Sequence, residues 1–376
     1  MSRPAIAHIR LDAFRHNYQI AKQLHTGKAL AVIKANAYGH GAVQCANAIN
    51  NEADGFAVAS LEEALQLRQA GISKPILLLE GFFESIELPD IVANDCWIVI
   101  HAQWQIDILL AAQLTNPLQV WLKLDSGMHR VGLSPAEYAQ AYDVLSTHKN
   151  VANIVLMSHF ANADNLKLPH TKAQISCFKQ TVTNLNASQI SFANSAAILG
   201  WPQAQGNWSR PGIMLYGADP LDVNPVNMHV TGKFSLATLG ALKPVMQLTS
   251  HIISIRKIAV GESIGYGSIF KADRETIVGV VACGYADGYP RLASNESKSA
   301  PAVVEGVFTR LIGRVSMDML FVDLTDIPQA KIGSIVELWG DKVLANDVAN
   351  AANTIAYELF CNVKRVQFKY SDSINQ

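Results

Sequence analysis

The chain has 376 residues, 49% hydrophobic and 16% charged, so two buried cores are within reach and a disordered chain is excluded. A formal net charge of −1, with no long run of one sign in either half, argues against nucleic acid or an anionic membrane as the main partner. The five cysteines (Cys45, Cys96, Cys177, Cys283 and Cys361) are scattered, odd in number and without CxxC or Cys/His spacing, which predicts reduced thiols and no metal site.

Residues 1–20 contain no apolar core of about seven residues, so no signal peptide is expected. No stretch approaches the roughly 18 apolar residues of a membrane span, and a cytoplasmic protein with no membrane partner is the expectation. The Asn-x-Ser matches at Asn186, Asn207 and Asn295 are then chance occurrences.

From residue 29 to about 217, short apolar runs alternate with helical patterns. The runs are 29–34, 55–59, 75–80, 97–101, 118–124, 154–158, 189–193 and a weaker one near 209–216. Between them lie segments such as 60–71, with Ser60 as N-cap, Glu63 completing a capping box and Gly71 as the stop. Strands apolar on both faces and joined by helices indicate parallel pairing, and eight of them point to a TIM-like (β/α)8 barrel. No GxGxxG follows the first run, which counts against a dinucleotide fold.

After about residue 243 the pattern changes to short β-branched segments at 246–260, 276–283, 301–304, 308–315, 320–324 and 334–339. They predict a mainly β C-terminal domain, closed by one helix near 346–361. The expected domains are 1–235 for the barrel and 236–376 for the β domain, with 218–242 as an unusually long connector.

Catalytic groups of such a barrel belong at the C-terminal ends of its strands. The polar residues ending the runs are Lys34, Lys123, Asp125, His159 and the Asn194/Ser195 pair, with Arg210 near the start of the last run. A lysine that ends an apolar strand loses hydration, which lowers its pKa and suits Schiff-base chemistry. Tyr38, Gly39, His40 and Gly41 add a hydroxyl donor and a flexible turn beside Lys34.

The segment VIKANAYGHG (32–41) resembles the signature by which alanine racemases attach pyridoxal 5'-phosphate (PLP). Eight further segments occur in that family's order: KLDSGMHRVG (123–132), SHFANAD (158–164), FANSAA (192–197), RPGIMLYG (210–217), GYGS (265–268), GYADGYPR (284–291), GRVSMDM (313–319) and TIAYELFCNVKR (354–365). The resemblance covers nearly the whole chain. It implies interconversion of L- and D-alanine, with PLP as cofactor and alanine as small-molecule substrate. It also implies a homodimer whose active sites are shared between subunits.

The resemblance assigns roles by position. Lys34 would be the Schiff-base lysine and one catalytic base, and Tyr285 the opposing base from the second subunit. A phenol, with a reference pKa near 10, acts as a base only where positive charge or hydrogen bonding favours its anion. His159 and Arg210 would link that tyrosine to the cofactor ring, Arg210 facing the ring nitrogen. Because arginine only donates, that nitrogen would stay unprotonated and the ring a weak electron sink, which favours reprotonation over other outcomes. The phosphate would meet the hydroxyls of Tyr38, Ser195 and Tyr357 and the backbone N–H groups of Gly212 and Ile213. The substrate carboxylate would meet Arg130 and the N–H of Met317 from the partner. Lys123 matches a lysine that is often carbamylated, and Asp318 would either help place the tyrosine or serve the structure of its loop. His40, His129 and Trp201 are expected to serve packing or local hydrogen bonding.

Three other readings compete with this one. A broader-specificity amino-acid racemase, accepting serine, shares the motifs. A barrel-type PLP decarboxylase needs a glycine-rich phosphate loop and a catalytic cysteine with an acidic partner, and neither is found. A non-catalytic PLP-binding protein resembles the barrel alone. The segments ILLLEGFFE (76–84) and MSHFANAD (157–164) are similar to the catabolic branch of the family.

Overall fold

The computed structural model describes residues 3–221 and 242–372. The expected boundary between residues 235 and 236 and most of the 218–242 connector lie outside them.

The first strand, β1 (Ile6–Arg10), is followed by eight parallel strands: β2 (Lys28–Val32), β3 (Gly55–Val58), β4 (Ile76–Leu78), β5 (Cys96–Ile100), β6 (Leu118–Lys123), β7 (Val151–Met157), β8 (Ile190–Asn194) and β9 (Trp208–Arg210). Strands β2 to β9 close into the expected barrel, where Lys28 and Ala29 of β2 pair with Trp208 and Ser209 of β9. The predicted runs are buried on both faces because helices cover the outside and side chains fill the inside; β3 and β4 are buried throughout. Trp97 of β5 and Trp208 of β9, which are not neighbouring strands, meet ring to ring at 5.4 Å, so the contact runs through the barrel interior. Trp121 packs on both. The weak run near 209–216 forms only a three-residue strand. Pro211 has no N–H to continue the ladder, and Ile213–Tyr216 winds into a 3-10 turn.

Ser60 does precede the helix Leu61–Gln69, with Gly71 just past its end at φ 85°. The expected capping box is absent, however. Glu63 accepts instead from the backbone N–H of Ala59 (2.7 Å) and of Ala35 (2.6 Å), tying the helix to the turn after β2.

The second sheet has eight strands and is mainly antiparallel, built on the long strand β10 (Met246–Ile258). The segments predicted at 276–283, 301–304, 320–324 and 334–339 form Thr276–Val281, Pro301–Val304, Leu320–Asp323 and Ile335–Trp339. The segment 308–315 yields only Val307–Arg310, cut short before the turn at Gly313, φ 67°. The single closing helix is in fact two, Ala345–Ala351 and Ala356–Asn362, separated near Asn353 at φ 56°. β1 does not enter the barrel. It lies between β10 (antiparallel, Ile6 opposite Thr249) and the final strand Gln367–Ser371 (parallel, Ile6 opposite Gln367). The N-terminal residues thus complete the C-terminal sheet.

Candidate active site

The barrel gathers at one end the polar residues expected there. Lys34 lies two residues beyond β2, Lys123 ends β6, His159 lies two residues beyond β7, Ser195 follows β8 and Arg210 ends β9. All are at C-terminal strand ends, where backbone ladders stop and side chains can converge.

Directly after Lys34 the chain makes a left-handed turn: Ala35, Asn36, Ala37 and Tyr38 have φ of 51°, 54°, 54° and 49°. For L-residues this costs about 1–2 kcal/mol each, so surrounding contacts must hold it. Glu63 takes the Ala35 N–H, the Asn36 side chain takes the N–H of Ala42 at 2.9 Å, and Gly39 at φ 79° abuts the Phe360 carbonyl so closely that a Cβ would come within 2.2 Å of it. The turn delivers Tyr38 to Gly212, where an added Cβ would stand 2.8 Å from the phenol oxygen. Burial pushes the Tyr38 phenol well above its ordinary pKa, so it is a neutral hydroxyl. Its ring stacks on Tyr216 at 4.7 Å and leans on Tyr357 at 5.6 Å.

Ser195 faces the same place. Its hydroxyl oxygen accepts from the backbone N–H groups of Gly212 (2.8 Å) and Met214 (3.3 Å). With its acceptor sites engaged, its proton is directed to an outside acceptor. The N–H of Gly212 is therefore spent on Ser195, and the buried Ile213 opens the short turn that follows. Hydroxyls and a close-set glycine form a cradle suited to an anion.

Positive charge dominates the strand ends. Arg210 is buried, yet among the described residues no carboxylate pairs with it. It donates to the Ser191 hydroxyl, to the carbonyls of Ser158 (2.6 Å) and Phe192 (3.3 Å), and to His159 Nδ1 (3.4 Å). Burial lowers its pKa to about 10, which leaves it charged at neutral pH. Burial, then the charges of Arg210 and Lys123, holds the His159 imidazole well below its usual value. His159 is therefore neutral, and because arginine can only donate, Nδ1 is the acceptor and Nε2 carries the hydrogen. Burial together with Arg210, Arg130 and Lys34 draws the Lys123 ammonium down to about 7.

Arg130 is exposed in the loop after β6. Asp125 shapes that loop, its carboxylate accepting from the N–H groups of Gly127, Met128 and His129 at 2.9–3.0 Å. Among the described residues, the His129 side chain bonds the nearby Asp125, whereas the Trp201 indole N–H donates to the Ala163 carbonyl, 38 positions away. His40 likewise meets the carbonyls of Ala37 and Tyr38.

Tyr285 and Met317 sit apart from this group, on adjoining loops of the β domain. The N–H groups of Tyr285 and Ala286 donate to the carbonyls of Ser316 and Met317 at 3.0 and 2.9 Å. Both side chains are open, 38% and 53% exposed, and no hydrogen bond among the described residues links Tyr285 to Lys34. Asp318 touches Arg3 and Arg365 rather than the tyrosine. Sequence reasoning missed Ser191 and Ser158, and it gave Glu63 a capping role in place of its bonds to the Ala35 and Ala59 N–H groups. Ser191 had a faint signal, a hydroxyl inside an otherwise apolar run.

Comparison with known proteins identifies the architecture. The profile of the alanine racemase N-terminal domain matches residues 9–220, and that of the C-terminal domain matches residues 245–370. A catabolic alanine racemase of Pseudomonas putida is 55% identical over 98% of this chain and 99% of its own length. Among solved structures, a biosynthetic alanine racemase from Pseudomonas aeruginosa superposes with a TM-score of 0.91 at 47% identity, covering 98% of this chain and 99% of that one. One from Bartonella henselae, with covalently bound pyridoxal phosphate, has a TM-score of 0.85 at 29% identity, covering 98% and 99%. A strand-end lysine beside an anion cradle, on two domains matched in order across nearly their full length, places this chain in the alanine racemase family, whose members interconvert L- and D-alanine.

Proposed function

We propose that Lys34 holds PLP covalently, and that Lys34 and Tyr285 of the partner subunit are the two bases that take and return the Cα proton of alanine on opposite faces. The observation that carries this reading is the buried, carboxylate-free Arg210 among cationic neighbours at the strand ends. The residues fit a phosphorylated pyridine: Ser195 and Tyr38 supply hydroxyl donors, Gly212 leaves room, and Tyr357 flanks Tyr38. Tyr38, Ser195, Tyr357 and the N–H of Ile213 would hold the phosphate, Gly212 acting mainly by anchoring Ser195. PLP, when bound, supplies an electron sink that makes the substrate Cα–H acidic.

The rest is done by the chain. Arg210 would offer only hydrogens to the ring nitrogen and so keep a proton off it, which restricts the sink and favours prompt reprotonation. His159, fixed as a neutral Nδ1 acceptor, would hold Arg210 and present Nε2–H toward the tyrosine. Arg130 and the N–H of the partner's Met317 would take the alanine carboxylate, and Asp318 would steady the loop that carries Met317. The exposure of Tyr285 and Met317 supports a shared site, since an unpaired chain leaves both in solvent. The proposed assembly is a homodimer with no nucleic-acid or membrane partner. It resides in the cytoplasm, in keeping with five free cysteines. We retain 1–235 and 236–376 as the proposed domain extents, with β1 lent to the second sheet. The enantiomers are equal in energy, so one site can make D-alanine as a peptidoglycan precursor or remove it. The 55% identity to a relative named as catabolic supports removal.

Complementation tests the shared site. Lys34→Ala and Tyr285→Phe homodimers should each be nearly inactive. A co-expressed heterodimer carrying one of each regains one intact site, and so about half the parental activity per dimer. Recovery of none would show that both bases come from one chain.

Lys123 would carry a carbamate. A lysine near pKa 7 is substantially neutral at physiological pH, so its amine can add to CO2 and release one N–H proton to solvent, and the carbamate anion formed would face Arg130. Lys123→Ala should raise KM for alanine about tenfold, as expected when an arginine that receives the substrate loses one orienting anion, and millimolar short-chain carboxylates should restore part of it. Carboxylates without effect would remove the case for an anion at this position.

A further inference from the structure

Two arginines distant in sequence meet on the loops that carry Tyr285 and Met317. β1 and the strand Gln367–Ser371 run parallel, with Ile6 opposite Gln367 and the Gln367 N–H donating to the Ala5 carbonyl at 3.1 Å. Arg3 and Arg365 therefore reach the sheet from the same end. Arg3 donates to the Asp287 carboxylate at 2.5 Å and to the Asp318 carbonyl at 3.2 Å, with the Asp318 carboxylate at 3.5 Å. Arg365 donates to the Asp318 carboxylate at 2.8 Å and lies 3.7 Å from that of Asp287.

The targets sit beside the reactive positions. Asp287 ends the 3-10 turn that begins at Tyr285, is fully buried, and takes the Gly284 N–H at 3.0 Å. Asp318 follows Met317. The two loops lie back to back: a Cβ on Gly284 would come within 2.4 Å of the Met317 carbonyl oxygen. The segment before the last strand is pressed on the same turn, since the Lys364 N–H donates to the Asp287 carbonyl at 3.0 Å and a Cβ on Gly288 would meet the Asn362 carbonyl at 2.1 Å. Arg365 itself is held at φ 56°, a left-handed conformation for a residue with a side chain, and strain of that kind persists only where neighbours enforce it. Two carboxylates facing two guanidiniums balance in charge, and the planar fork of arginine can engage two acceptors at a fixed spacing.

We infer that Arg3 and Arg365 form a clamp across Asp287 and Asp318 that fixes Tyr285 and Met317 relative to each other, which makes both arginines positioning residues for racemisation. The inference rests on the proposed roles of Tyr285 and Met317. It joins two segments far apart in sequence to the half-site this subunit offers its partner.

The test uses the PLP-loaded dimer. Arg3→Ala should keep the parental cofactor absorbance while racemisation falls about 10- to 100-fold, the scale of a misplaced catalytic group. In deuterated buffer, the enantiomer deprotonated by Lys34 should still exchange its Cα hydrogen in place at near-parental rate. Exchange from the other enantiomer should fall with racemisation. Racemisation within twofold of the parent, or equal loss of exchange from both enantiomers with cofactor bound, overturns the clamp. If Arg3→Ala does not give a folded dimer, Arg3→Lys replaces it. That variant keeps the charge without the fork, and the same one-sided loss is expected, with equal exchange counting against the clamp. Tyr285→Phe measured alongside separates the two ideas. If it racemises normally the base assignment fails; if it alone shows one-sided exchange, only the clamp fails.

Discussion

Lys34→Ala should lose covalent cofactor attachment and lower racemisation by on the order of 10,000-fold or more. The size follows from losing two functions at once: the amine that bonds PLP and one of two bases, which alone contributes about 100- to 10,000-fold. The variant should still fold. Lys34 is only partly buried, its side chain makes no hydrogen bond or ion pair among the described residues, and the left-handed turn after it is held by Glu63 and Asn36. Ser195, Tyr38 and Arg210 remain, so PLP should bind reversibly and be removed by dialysis, whereas the parent retains it. Borohydride followed by digestion and mass measurement reads the linkage directly. A PLP adduct persisting on another lysine of the Lys34→Ala protein, with activity intact, would sink the assignment. Lys123, also at a strand end and drawn down to about 7, is the obvious residue to inspect.

Tyr285→Phe should retain the cofactor and its absorbance yet lose racemisation by roughly 1,000-fold, within the range for one general base. The change removes a single oxygen from a side chain that is 38% exposed, and the turn is held by backbone hydrogen bonds to Ser316 and Met317, so stability should move by less than about 0.5 kcal/mol. The loss should be in kcat more than in KM, because Arg130 and Met317 still receive the carboxylate. Cα exchange without inversion should survive for one enantiomer. Loss of exchange from both would mean the tyrosine organises the whole site rather than serving one face.

The barrel was legible because parallel strands covered on both faces leave unbroken apolar runs, and the polar residue ending a run marks its open end; Lys34, Lys123 and Ser195 were found in this way, whereas Arg210 stood near the start of a run that in fact stops at it. What escaped has a common physical cause in long-range pairing and unusual backbone. Residues 6–10 alternate buried and half-exposed, a strand pattern, but nothing local says that their neighbours begin at 246 and 367. Glu63 matches a capping box by spacing, yet the N–H groups of Ala35 and Ala59 outcompeted that of Ser60. Four consecutive non-glycine residues at positive φ defy every local preference, and only the packing around them explains the turn. Ser191 reads as a packing residue until Arg210 is seen to need an acceptor without charge.

The seating of β1 bears on how the chain is made. A ribosome releases β1 before the barrel strands and the strand Gln367–Ser371 after them, so β1 must wait, unpaired, while the barrel assembles behind it. The second sheet has a high contact order, and its closure is expected to be the slow step of folding. During that wait β1 is an open edge, able to pair with another nascent copy. His8 between Ala7 and Ile9, Arg10 at the strand's end and Arg3 ahead of it lessen that risk, charge at a strand edge being a known brake on misassembly.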